Sequence, residues 1–336
     1  MNNKLQISNW ENTIFTTSYY DFEKNALDLF KHQYNQIEIY QKYVDLIIKD
    51  ISKVNQLNKI PFLPISFFKT HLVTDSPQKF ETIFESSGTT GFTTSKHLVT
   101  NLDLYKKSFL KSFNLFYGDP KDYCILGLLP SYLENSSSSL VFMVEELIKR
   151  SINQHSGFYL DDLEVLFQTI AHNELTMQPT LLIGVTYALL DFAKAFPMKL
   201  KYTTVIETGG MKGRREEMTR ADVHESIKQN LGVSNVHSEY GMTELLSQAY
   251  SSANGIFKCP PWMKVLIREN DDPFDVRQKT KGSTFSGLIN IIDLANLHSC
   301  CFIATDDVGR LHKNGQFEIM GRRDNSDIRG CSLLTI

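Results

Sequence analysis

The stretch ESSGTTGFTTSK, Glu85 to Lys96, is built almost wholly of glycine, serine and threonine and closes on one lysine. Glycines let backbone N–H groups converge on one point, and the hydroxyls add further donors. Such a loop suits an anion, above all a phosphate, although the same composition also serves in plain surface turns. The tract lacks the G-K-[ST] ending of a Walker A loop, so ordinary P-loop nucleotide binding fails at its most diagnostic residues.

Ser86 to Lys96 resembles the phosphate loop of the adenylate-forming enzymes, the superfamily of acyl-CoA synthetases, peptide-synthetase adenylation domains and luciferases, written S-S/T-G-T-T-G-x-P-K. The glycines and threonines are kept, the proline is missing and the lysine falls two residues late. Further blocks follow in the order that family uses. SEYGMTE, Ser238 to Glu244, is similar to its Y-G-x-T-E motif, and ETGGMKGR from Glu207 to the strand-end Gly-Gly turn. ATDDVGRL from Ala304 resembles the T-G-D motif with Asp306 in place of the glycine, and GRRDNSDIRG from Gly321 resembles the hinge motif G-R-x-D-x-x-I-K-x-x-G.

The resemblance implies ATP and Mg2+ as cofactors. Ser86, Ser87, Gly88, Thr89, Thr90, Gly91, Thr243 and Lys96 would meet phosphates, and Gly209, Gly210, Tyr240 and Gly241 would hold adenine. Glu244 would bind magnesium, Asp307 the ribose, and Arg322 the nucleotide or departing pyrophosphate. Bringing a carboxylate to the α-phosphate gathers anions, so magnesium, Lys96, Arg322 and the loop amides have repulsion to offset. Singly, each residue has a plainer use: Glu244 as a helix cap, Tyr240 as core, Asp307 with Arg310 as a turn pair. The ordered set favours adenylation.

The chain stops six residues after Gly330, on CSLLTI, where acyl-CoA-forming relatives continue into a mobile C-terminal domain. This ending, with LPSYLENSSSSLVFM from Leu129, resembles the acyl-protein synthetases of bacterial bioluminescence (LuxE type), in which a cysteine near the C-terminus accepts the acyl group. That implies a fatty acid as first-choice substrate, Cys331 as nucleophile and an acyl reductase as the accepting partner. A thiolate attacks an acyl-adenylate readily, and Arg329 would lower the thiol pKa. The alternatives are a phenylacetate-type CoA ligase or acyltransferase acting on a fatty or aryl acid with an external acceptor, or a non-catalytic acyl- or nucleotide-binding subunit. A free cysteine in a final strand is also ordinary core filler.

Apolar residues recur at helical intervals from Asp21 to Ile48, and IPFLPISFFKTH from Ile60 reads as a connector broken by two prolines. Short apolar runs CILGLL, TLLIG and TTVIET alternate with helical stretches beginning near Ser138, Asp161, Thr186 and Arg214, which predicts an α/β fold with largely parallel pairing. MKVLIRE, GLINIIDL and CFIAT lack intervening helices and predict a second, antiparallel or barrel-like sheet. The expected architecture is an adenylate-forming α/β large domain with mixed sheets, without the full mobile C-terminal domain. Residues 1–75 would be a helical N-terminal segment packed on the body, 76–320 the core, and 321–336 the hinge motif and tail.

At 336 residues, 42% hydrophobic and 22% charged, the chain can bury a sizeable core. A formal charge of -3 with no basic run argues against nucleic acid, and no stretch approaches the apolar length of a transmembrane helix. With no signal-like N-terminus, a cytoplasmic location is expected. The cysteines, five in number and without C-x-x-C spacing, indicate neither a disulfide framework nor a zinc site. Cys300 and Cys301 read as core. His237 reads as structural or acyl-lining, and Ser131 and Tyr132 as candidates for the acyl site.

Overall fold

The computed structural model describes residues 2–86, 93–130, 136–209, 218–278 and 284–323. Its central sheet has the order Gly157–Phe158, Cys124–Leu128, Thr180–Gly184, Thr203–Glu207, His237–Tyr240, Ala249–Ser251. The first five strands are parallel and the last is antiparallel. CILGL and TLLIG are buried at every position, as strands covered on both faces must be. Alternation divides them between two cores: Cys124, Leu126, Leu128 and Leu182 face one way, Ile125, Leu181 and Ile183 the other.

The crossover helices begin where hydroxyl and carboxylate caps place them. Ser138 accepts from the Val141 N–H ahead of helix Ser139–Arg150, and Asp162 from the Val165 N–H ahead of Leu163–Leu175. Thr219 caps helix Arg220–Leu231, which ends on Gly232 at φ +64°. That start is six residues later than the pattern from Arg214 predicts; 210–217 lie outside the described residues.

The second sheet is antiparallel in the order Ile256–Phe257, Phe317–Arg322, Phe302–Leu311, Phe285–Asp293, Met263–Arg268, Val276–Arg277. Strand Phe302–Leu311 is long enough for two partners along one side. Asp307–Leu311 pair with Phe317–Arg322, whereas Ile303 and Ala304 pair in parallel with Leu63 and Pro64. The proline-broken connector therefore adds a two-residue edge strand, where a missing N–H costs little.

The helical pattern over Asp21–Ile48 is two helices, Phe22–Gln36 and Glu38–Ile47. The chain turns extended at buried Ile37, φ −106° and ψ 99°. Gln33 anchors the first of them: its Nε2 donates to the Asn296 and Ser299 carbonyls at 2.8 and 2.6 Å, and its Oε1 accepts from the Cys301 N–H at 2.9 Å. Cys300 and Cys301 are fully buried beside it, and burial pushes the Cys300 thiol up to about 12, the condition of inert core cysteines.

Strands Thr82–Glu85 and Lys96–Val99 form an antiparallel hairpin in which Glu85 opposes Lys96. The glycine-rich tract is thus the connection of a hairpin. The Glu85 N–H donates to the Ser137 carbonyl at 2.8 Å, which fastens the hairpin beside the start of helix Ser139–Arg150.

Candidate active site

A cavity of about 210 Å3 opens at the C-terminal ends of the parallel strands. Ser86 of the hairpin, Thr208 just past strand Thr203–Glu207, Gly241 and Thr243 just past His237–Tyr240, and Ser138 and Ser139 of the helix start meet around it. In open α/β sheets this edge is where ligands bind, because loops and helix N-termini converge there while the strands stay rigid.

Three sequence blocks far apart in the chain therefore share one cavity. The other two join through Tyr240. Its hydroxyl donates to Asp307 Oδ2 at 2.7 Å, and its ring packs edge-on against Phe257 and Phe317. Asp307 opposes Arg322 across the strand pair, with Nε 4.0 Å from Oδ1. Burial raises the Asp307 pKa, while the Tyr240 hydroxyl and Arg322 guanidinium hold it down. Arg310 pairs with Glu318 at 3.7 Å and forms no turn pair with Asp307.

At the hairpin, Ser86 Oγ accepts from the Ser95 N–H at 2.9 Å, and Lys96 Nζ lies 3.4 Å from Glu85 Oε1. The lysine is half-exposed, so a bound anion could draw it from that loose pair. At the Gly-Gly turn, Gly209 has φ +79° and open space around its Cα. The left-handed backbone therefore asks for glycine here. Its N–H donates to Glu207 Oε1 at 2.7 Å. Burial pushes the Glu207 carboxyl up, but hydrogen bonds from His224 and Thr186 and the charge of Arg220 bring it below the usual range.

Glu244 is 4% exposed. Burial raises its pKa against a hydrogen bond from Ser95, and its backbone carbonyl accepts from Asn296 Nδ2 at 2.8 Å. It caps no described helix. No group of three or more His, Cys, Asp or Glu able to hold a metal occurs among the described residues.

Several supports of the site were missed in the sequence. His97 is buried, its pKa lowered to about 4 by desolvation, so the ring is neutral at pH 7 and its Nδ1–H donates to the Thr243 carbonyl at 2.8 Å. Asp293, fully buried, accepts from the N–H groups of Leu246 and Ser247 at 2.9 Å each and from the Ser247 hydroxyl at 2.6 Å. His97, Asn296 and Asp293 thus hold the segment 243–247 from three sides. A signal existed for Asp293, a carboxylate closing the apolar run GLINIID. None existed for His97. Glu239 and Gln248, which also line the cavity, were likewise unmarked.

His237 contacts Tyr117, Nδ1 to hydroxyl 3.2 Å, and is not part of the cavity lining. Ser87, Gly88, Thr89, Thr90, Gly91, Gly210 and Cys331, with Ser131, Tyr132 and Arg329, lie outside the described residues.

The family model described as "Acyl-protein synthetase, LuxE" matches residues 16–335. The chain belongs to the LuxE acyl-protein synthetase family. A curated relative, the long-chain-fatty-acid–luciferin-component ligase of Photorhabdus luminescens, is 36% identical over 70 residues, 20% of this chain. The chain spans 60% of that relative's length. Among solved structures, it is similar to an O-succinylbenzoate coenzyme A synthetase from Bacillus subtilis in complex with AMP, at 17% identity and TM-score 0.49 over 72% of this chain and 49% of that one. A long-chain-fatty-acid-CoA ligase from Archaeoglobus fulgidus gives 16% identity and TM-score 0.49 over 71% and 51%. No helix among the described residues is long and apolar enough to cross a membrane.

Proposed function

We propose that this LuxE-family chain activates a carboxylic acid, in first place a fatty acid, with ATP and passes the acyl group to a thiol. The observation that carries this reading is the Tyr240–Asp307 hydrogen bond beside the cavity that Ser86, Thr208 and Thr243 share, because it brings the separate sequence blocks to one strand edge. In the first step a carboxylate oxygen attacks the α-phosphorus of ATP and the bond to pyrophosphate breaks. Ser86 and Thr243 lie where they can hydrogen-bond phosphate oxygens, and Lys96 and Arg322 supply positive charge. Asp307 takes the ribose hydroxyls.

Glu244 suits magnesium: it is a hard oxygen ligand whose ionisation burial disfavours, so a cation beside it relieves that penalty. Magnesium when bound would neutralise phosphate charge. In the second step the Cys331 thiolate attacks the acyl carbonyl, AMP departs, and the thioester passes its acyl group to a partner such as an acyl reductase. Cys331 lies in the tail after the hinge block. The test is acid-dependent release of pyrophosphate from ATP by the full chain across fatty and aryl acids. Release with Tyr240→Phe and Asp307→Asn depressed supports the reading, and no release with any acid contradicts it.

A further inference from the structure

Strand His237–Tyr240 turns successive side chains to opposite faces. Tyr240 reaches Asp307, so Glu239 points the other way, into the cavity between Tyr105 and the start of helix Ser139–Arg150. Ser86 and Thr243 line the same cavity, so an acid lying on the side of Tyr105, Met143 and Glu239 would have its carboxylate beside the residues proposed for the phosphates. Gln248 stands next to Glu239: a Cβ added at Gly241 would lie 2.4 Å from Glu239 Oε1 and 3.3 Å from Gln248 Cγ.

Among the described residues, neither side chain has the partner its chemistry asks for. Gln248 is 4% exposed, and its Oε1 is buried with no hydrogen-bond partner. The Glu239 carboxyl has no hydrogen bond from any described residue. Among the described residues, Glu207, Tyr105, Tyr117 and Tyr250 couple to it electrostatically and Glu85 lines the same cavity; none of these is a cation. The Tyr105 and Tyr117 hydroxyls are engaged with the Ser139 carbonyl and with His237. Burial and the Glu207 charge push Glu239 up to about 8, so at neutral pH it carries a proton and can donate.

We propose that Glu239 and Gln248 form a hydroxyl-recognising pair, and that the acid activated here is a hydroxylated carboxylic acid. The proposal rests on the adenylation reading above and narrows its substrate class. A hydroxyl is the group that fits both needs at once: its O–H donates to Gln248 Oε1 and its oxygen accepts from the Glu239 O–H. A methylene in the same place leaves a buried acceptor unpaired, which is how a polar subsite rejects an analogue that lacks the hydroxyl.

The experiment compares pyrophosphate release by the full chain on matched pairs, an alkanoic acid against its hydroxyalkanoic counterpart and benzoic against hydroxybenzoic acid. Each acid is also tested for its effect on Tm without ATP. At least one hydroxy acid should show kcat/KM ten-fold or more above its partner and raise Tm. Gln248→Leu should erase that preference by raising KM for the hydroxy acid more than for its unsubstituted partner, and Glu239→Gln, which keeps a donor and an acceptor, should retain most of it. Equal or better use of every unsubstituted acid, or a preference that survives Gln248→Leu, overturns the proposal and leaves adenylation standing. Absence of pyrophosphate with all acids removes the adenylation reading, and the Tm arm then decides whether a hydroxy acid is bound through Gln248.

Discussion

Tyr240 and Asp307, 67 residues apart, are joined by a 2.7 Å hydrogen bond that ties the end of the parallel sheet to the long strand of the antiparallel one. Tyr240→Phe leaves the Asp307 carboxylate, already disfavoured by burial, without its neutral donor. The expected cost is about 1–3 kcal/mol of stability, with weaker ATP binding, read from denaturant unfolding and nucleotide titration.

His97 holds the Thr243 carbonyl and is not among the residues that line the cavity. Its folded-state pKa lies below the usual value, so the stability it contributes is present above about 6.5 and is lost as pH falls toward about 4. A pH series of Tm should therefore drop faster across that window in the wild type than in His97→Gln. Equal slopes would remove His97 from the account of acid sensitivity.

Asp293 satisfies three donors of the segment after Glu244, and the Ala295 N–H, at once. Asp293→Ala strands the N–H groups of Leu246, Ser247 and Ala295 in the core. A loss on the order of 3 kcal/mol or more is expected, with Asp293→Asn intermediate, measured by urea unfolding.

Glu239 has the opposite sign from a salt-bridged carboxylate. Its folded pKa of about 8 lies above the unfolded value, so its contribution is full below about 4.5 and declines as pH rises to about 8. Each unit is worth about 1.4 kcal/mol, discounted here because the side chain keeps exposure to the cavity. Glu239→Gln should flatten the fall in Tm between pH 5 and 9; an unchanged profile would show that Glu239 ionises as freely as in water.

The α/β alternation was legible because each buried strand carries its own signal: CILGL and TLLIG are apolar throughout, and Ser138 and Asp162 stand where caps belong. The break at Ile37 was not, since no glycine or proline marks it and the buried side chain keeps the apolar rhythm. At the site, Tyr240, Gly241, Thr243, Glu244 and Asp307 were readable as motif residues. Their supports were not, because His97, Asn296 and Asp293 act through backbone atoms of partners more than 40 residues away, and such contacts leave no local pattern. Glu239 sits inside a motif block, yet its role depends on which face of the strand meets the cavity.

Activation of the acid is expected to feed a covalent acyl-enzyme at Cys331. Intact-mass measurement of the full chain after incubation with ATP, magnesium and each acid, beside Cys331→Ala, tests it most directly. The account predicts a mass gain equal to one acyl group, labile to hydroxylamine and absent in the variant. Pyrophosphate release without any mass gain, or a gain that persists in Cys331→Ala, would contradict it.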